Sequence, residues 1–137
     1  NRCHIHVLRD GYVTAASTPK DAPHGYVFAD CQITGEEGAR AYLGRPWRDY
    51  ARTVFVRTEM SEVIRIEGWH NWNKPHAEAT TFYAEFGSTG RGANAFDRVA
   101  WAKFLTATEA AALTPASVLG GTDGWAPTVA ARPARAP

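Results

Sequence analysis

"RTVFVRTEM", residues 52–60, alternates as an extended chain does: Val54 and Val56 fall on one face and Phe55 on the other. Its β-branched and aromatic residues suit a pleated, half-buried surface. Working outward, similar runs occur at 3–8 (CHIHVL), 11–17 (GYVTAAS), 25–34 (GYVFADCQIT), 40–44 (RAYLG), 63–69 (VIRIEGW) and 80–86 (TTFYAEF). Gly, Pro and Asp punctuate them. No amphipathic helix of ten or more residues lies between them, which disfavours a βαβ arrangement. Cys3 precedes Cys31 by 28 positions, Val54 precedes Phe82 by 28, and Cys31 precedes Val54 by 23. Repeats in the twenties with loops of varying length fit a coil-by-coil solenoid. A β-sandwich competes with it on periodicity alone.

The 137 residues suffice for one domain with a core, and 45% apolar content with five tryptophans argues against disorder. Fifteen basic and fourteen acidic residues leave a formal charge of +1, so charge gives no reason to expect a nucleic-acid or membrane partner. No apolar run approaches the ~18 residues of a membrane span. The chain opens within an apolar alternation and shows no secretory leader; it reads as a fragment or processed piece. Residues 1–127 are expected to fold, and 128–137 to form a disordered Ala/Pro/Arg tail. Before that tail, Thr106 and Glu109 have the spacing of a capping box and predict a short helix.

Several candidate sites have ordinary readings. His4 and His6 share a face if 3–8 is a strand, but no Cys or carboxylate cluster completes a metal site, so structural histidines are expected. "GSTGRG", 87–92, lacks the Lys-Thr and the helix of a phosphate cradle and reads as a loop. Cys3 and Cys31 fit two reduced, buried thiols or one disulfide.

"YLGRPW", 42–47, is more informative. Pro46 fixes its own φ and pushes Arg45 towards extended backbone, and Gly44 permits close approach. The guanidinium thus gains a rigid mount from which to hold a carboxylate in a two-point fork. Trp47, with Trp69 and Trp72 in "GWHNW", offers flat apolar faces suited to an acidic sugar. Spacing alone gives equal weight to an Arg45 paired with a buried acid among core tryptophans.

Five ordered segments resemble the pectin methylesterases, or pectinesterases. "GYVFADCQIT" is similar to that family's G-[YF]-V-F-x-[DN]-C-x-[IL]-T, and "YLGRPWRDYARTVFV" to its Y-L-G-R-P-W-x-x-[YF]-x-[RK]-[TV]-V-[FY]. "VIRIEGWHNW" resembles V-I-x-P-x-G-W-x-x-W, with Ile66 at the usual proline. "TTFYAEFGSTGRGA" resembles T-[FL]-x-[FY]-x-E-[YF]-x-N-x-G-x-G-A, with Ser88 at the usual Asn, and "DGWAP" fits the closing segment.

The resemblance implies an all-β, right-handed, single-stranded parallel β-helix of the pectin-lyase-like kind, here its C-terminal coils with a short helix and tail. It implies hydrolysis of galacturonate methyl esters in pectin (methyl-esterified homogalacturonan) to pectate and methanol, without metal or cofactor. It assigns Arg45 to hold a nucleophilic aspartate, and Trp47 and Trp69 to line the sugar cleft. The family's Q-D-T-L and D-F-I-F-G segments, which carry its two aspartates and its glutamines, are not in this sequence. The 137 residues alone are therefore expected to be inactive, with an exposed strand edge where the coils are cut. A secreted monomer is expected, which keeps a Cys3–Cys31 bridge open. A non-catalytic β-helical carbohydrate-binding module is the alternative.

Overall fold

The computed structural model describes residues 1–127; the 128–137 tail expectation lies outside the described residues. In chain order the strands are β1 (His4–Val7), β2 (Gly11–Ala16), β3 (Tyr26–Ala29), β4 (Gln32–Gly35), β5 (Ala41–Pro46), β6 (Arg52–Val56), β7 (Glu59–Met60), β8 (Phe82–Phe86) and β9 (Lys103–Phe104). Two short helices follow, α1 (Ala107–Ala111) and α2 (Pro115–Leu119). Every strand pairing is parallel, in three sheets ordered β1-β4-β7, β2-β5 and β3-β6-β8-β9. From β1 to β7 the chain visits the sheets in rotation, one strand to each per coil, and β8 and β9 both join the third sheet. This is the parallel β-helix expected, and it excludes the sandwich.

The register corrects the repeat. Val54 pairs with Val27 behind it and with Ala84 ahead, not with Cys31 or Phe82. Ile33 lies opposite Ile5 and Met60, so like residues stack from coil to coil. "GYVFADCQIT" and "RTVFVRTEM" are each two strands, because the chain turns between sheets at Asp30 (φ 55°) and Arg57 (φ 46°). Arg2 (φ 53°) and Gly87 (φ 59°) hold the equivalent corners. Left-handed backbone costs about 1–2 kcal/mol at a non-glycine residue. Each corner N–H is bonded to the coil above: Arg2 to the Ala29 carbonyl, Asp30 to Val56 and Arg57 to Phe86, at 2.7–2.9 Å. Arg57 adds a two-point bond to the Asp30 carboxylate, at 2.7 and 3.1 Å, which holds that carboxyl below its usual range.

Ile33, Leu43, Phe55, Met60, Trp69 and Tyr83 fill the interior. Phe28 stacks on Phe55 at 4.5 Å between ring centroids. Outside the third sheet, Val54, Val56 and Ala84 pack against Ala110 of α1, with Leu105 and Leu113. The Thr106/Glu109 capping box forms as the sequence predicts. "VIRIEGW" is not a strand; it turns, touching the second sheet through single bridges of Ile64 to Ala41 and Trp69 to Gly44.

In β8 a carboxylate takes the place of a ring. Phe28, Phe55 and Glu85 are successive ladder partners, and Glu85 is buried with Arg98. Arg98 donates from Nε and Nη2 to the two Glu85 oxygens (2.7 and 3.1 Å) and from Nη2 to the Gly92 carbonyl (2.7 Å). Its Nη1 donates to the carbonyls of Arg65 (3.3 Å) and Ile66 (3.1 Å), so all five guanidinium N–H groups are engaged. A Cβ on Gly68 would lie 2.5 Å from the Arg98 side chain, which explains the glycine in "EGW".

His4 and His6 lie on β1 and turn to the neighbouring strand. Both bond the Thr34 hydroxyl at 2.7 Å, and His6 also meets Glu36 at 3.0 Å. Among the described residues no cluster of three or more His, Cys, Asp or Glu could hold a metal, and no helix is long and apolar enough to cross a membrane. Cys3 and Cys31 are free thiols, and the disulfide the sequence allowed is not formed. Their thiols turn to different carbonyls, Asn1 for Cys3 and Ala29 for Cys31. Cys3 is exposed, against the expectation of two buried thiols.

Candidate active site

Gly44, Arg45 and Pro46 end β5, and Trp47 follows directly. A Cβ on Gly44 would sit 2.4 Å from the Thr14 hydroxyl and 3.1 Å from the Trp69 ring, so only glycine lets the indole close on the strand. Pro46 is fully buried and fixes the exit of the strand. Trp47 then swings outward, 59% exposed, with its N–H bonded to the Ala16 carbonyl at 3.0 Å.

The Arg45 guanidinium lies in a cage of rings. Its carbon is 3.9 Å from the Trp72 ring centroid, 5.2 Å from Tyr12 and 5.4 Å from Trp47. Such contacts hold a cation without consuming its N–H groups. Nε and Nη1 are buried and have no hydrogen-bond partner among the described residues. Below lie Trp69 and Tyr83, stacked at 4.4 Å; the indole N–H and the phenol are likewise buried and unpartnered. Burial pushes the Tyr83 phenol well above its usual range, and the Arg45 charge draws it back. An unpaired guanidinium of this kind can bind a carboxylate in a two-point fork.

Trp72 reaches Arg45 because its loop is bent to deliver it. Trp72 (φ 55°) and Asn73 (φ 57°) are consecutive left-handed residues. Side chains stabilise the bend: His70 Nδ1 accepts from the Trp72 N–H and Asn71 Oδ1 from the Asn73 N–H, both at 3.0 Å. Asn71 donates to Glu78 at 2.8 Å. Lys74 Nζ donates to the Trp47 carbonyl at 2.8 Å, and His76 meets Asp49 at 3.2 Å, tying this loop to the one carrying Trp47.

Arg45 and Trp47 are thus brought together as the sequence suggested. Trp69 is not: it is 1% exposed, its faces covered by Tyr83 and by Phe55, and it presents nothing to a ligand. The second accessible indole is Trp72, 42% exposed. "GWHNW" contained both residues, and the αL turn that separates buried from exposed left no mark in it. The buried Glu85–Arg98 pair was also missed; Glu85 stood only as a letter in a matched segment.

The pectinesterase family model matches residues 4–122. The chain belongs to the pectinesterase family. Pectinesterase 31 of Arabidopsis thaliana is 39% identical over 110 residues, covering 79% of this chain and 35% of that protein. The carrot pectin methylesterase superposes with a TM-score of 0.78 at 34% identity, over 85% of this chain and 42% of the carrot chain. A pectin methylesterase solved in complex with a hexasaccharide superposes with a TM-score of 0.72 at 27% identity, over 94% of this chain and 46% of that one. The chain spans about a third of the length of the curated relatives it matches. These matches favour the pectinesterase reading over a non-catalytic binding module.

Proposed function

We propose that the protein carrying this chain is an extracellular pectinesterase that hydrolyses galacturonate methyl esters of pectin to pectate and methanol. The observation that carries this reading is the caged Arg45, a fixed cation with two buried, unpartnered N–H-bearing nitrogens. Arg45 binds the nucleophilic carboxylate that the family resemblance implies and keeps it ionised. That carboxylate attacks the ester carbonyl, and the methoxide leaves as methanol with a proton from the second aspartate the resemblance implies; that aspartate then takes a proton from the water that cleaves the acyl link, leaving a free acid on the polymer. None of the described carboxylates bonds to Arg45, so this chain's part is to position and charge the nucleophile, not to supply it. Trp47 and Trp72 provide exposed apolar faces for the sugar rings. The relatives' names and the hexasaccharide complex of a structural neighbour support the substrate class.

Methanol release from methyl-esterified pectin by the whole protein tests the proposal. Arg45→Ala lowers kcat at least 100-fold by releasing the nucleophile, whereas Arg48→Ala, at an exposed position outside the cage, retains activity. Equal activity in the two variants would overturn the role of Arg45, and no methanol from the unaltered protein would overturn the esterase reading.

A further inference from the structure

Of the rings around Arg45, Trp72 comes nearest, and it does so on strained backbone. Trp72 and Asn73, at φ 55° and 57°, are two consecutive non-glycine residues in a conformation that such residues avoid unless neighbouring groups hold them there. Relaxing this pair to ordinary backbone would carry the indole off the guanidinium. Whatever holds the turn therefore holds the cage.

His70 grips the turn from β5. Its N–H donates to the Gly44 carbonyl at 3.1 Å, one residue before Arg45. Its ring lies against Tyr42 of β5 and Tyr12 of β2, with centroids 5.0 and 5.9 Å away. From that fixed ring Nδ1 accepts the Trp72 N–H at 3.0 Å. An Nδ1 that accepts carries no proton, which puts the proton of the ring on Nε2. The Trp72 indole is edge-on to His70 at 6.4 Å and to Tyr12 at 5.4 Å, with its face on Arg45. Asn71 makes the same kind of bond one residue on, to the Asn73 N–H, but it is anchored by Glu78 inside the loop. His70 is the member that ties the turn to the strand carrying Arg45.

We infer that His70 is a positioning residue for the esterase reaction, acting on Arg45 through Trp72. The inference rests on the pectinesterase reading above and gives a role to a residue that reading leaves without one. Without the Nδ1 acceptor the turn relaxes and the indole leaves the guanidinium. Arg45 is then free to turn away from the carboxylate it must clasp, and one sugar face is lost with it. Both changes act on the same reaction, so kcat falls and KM rises together.

Methanol release from methyl-esterified pectin by the whole protein and its variants tests this. His70→Phe keeps a ring against Tyr42 but has no acceptor, and its kcat/KM falls about tenfold, through both parameters. His70→Asn restores the acceptor by the bond that Asn71 already makes, and recovers activity to within about twofold of the unaltered protein. Because His70 acts through Trp72, adding His70→Phe to Trp72→Ala costs nothing further. The ring-current shift of the Arg45 Nε–H in NMR spectra reports the indole over the guanidinium without calling on catalysis; it disappears in His70→Phe and persists in His70→Asn. Full activity in His70→Phe, an Asn variant no better than the Phe variant, or losses that add in the double variant overturns the inference. So does a His70→Phe protein that melts earlier yet keeps the kcat, KM and ring-current shift of the unaltered one, which is the mark of a merely structural histidine. If the unaltered protein releases no methanol, the esterase reading falls, and the ring-current shift alone decides whether His70 holds Trp72 on Arg45.

Discussion

Replacing Arg98 with methionine isolates the polar knot at the end of the coil stack. The substitution strands a carboxylate that is 4% exposed and removes the guanidinium's bonds to Glu85 and to the carbonyls of Arg65, Ile66 and Gly92. Breaking a buried pair from one side costs about 3–5 kcal/mol. Domains of this size hold about 5–15 kcal/mol in total. With a urea slope of about 2 kcal/mol/M, the midpoint falls by roughly 2 M. Tryptophan fluorescence reads the transition well, since Trp69 is buried in the same interior. The double variant Glu85→Leu/Arg98→Met removes the stranded charge and recovers about 2 kcal/mol of the loss. It stays below the unaltered protein because the carbonyls of Arg65, Ile66 and Gly92 still lack a donor. A single substitution costing under about 1 kcal/mol, or a double variant no better than the single, would refute the reasoning.

Gly44→Ala forces a methyl against the Thr14 hydroxyl and the Trp69 ring; it lowers stability by about 1–3 kcal/mol in thermal melts, and adding Thr14→Ala restores part of it. Trp72→Ala uncovers Arg45 and removes a sugar face, so pectin affinity in titrations falls several-fold while Trp69→Phe, at a buried ring, acts on melting temperature. Asp30→Asn is a pH test. The Arg57 bonds lower the folded-state pKa of Asp30, so the contribution of the pair is present above the ordinary value of 3.8 and is lost as the pH falls through the lowered one. For this exposed pair the loss on substitution is under about 1 kcal/mol at pH 7, and urea midpoints of the two proteins converge once the pH is below the lowered value.

The strands were legible because alternation is a local property: Val54, Phe55 and Val56 face as their sequence order requires. So was α1, whose Thr106 and Glu109 are neighbours on one turn. The corners at Asp30 and Arg57 were not. Most left-handed turns announce themselves with glycine, as Gly87 does, and here bonds from the next coil hold charged residues in that conformation. The pairing of Glu85 with Arg98 depends on a loop returning into the barrel end, which no local pattern encodes. At the candidate site, Arg45 and Trp47 follow from a short rigid motif. Choosing between Trp69 and Trp72 needed the path of the loop and the tight fit of Gly44.

The corner column carries one more consequence. Read along the axis, Arg2, Asp30 and Arg57 alternate in sign, and both arginines pull on the Asp30 carboxyl. In a solenoid each coil resembles the next, so the chief hazard in assembly is to stack a coil on the wrong neighbour. Skipping the Asp30 coil would set Arg2 above Arg57, two cations at one corner in place of an ion pair. The column therefore works as a tally of coils: it adds little to the strength of the finished stack but penalises a miscount while the stack is forming.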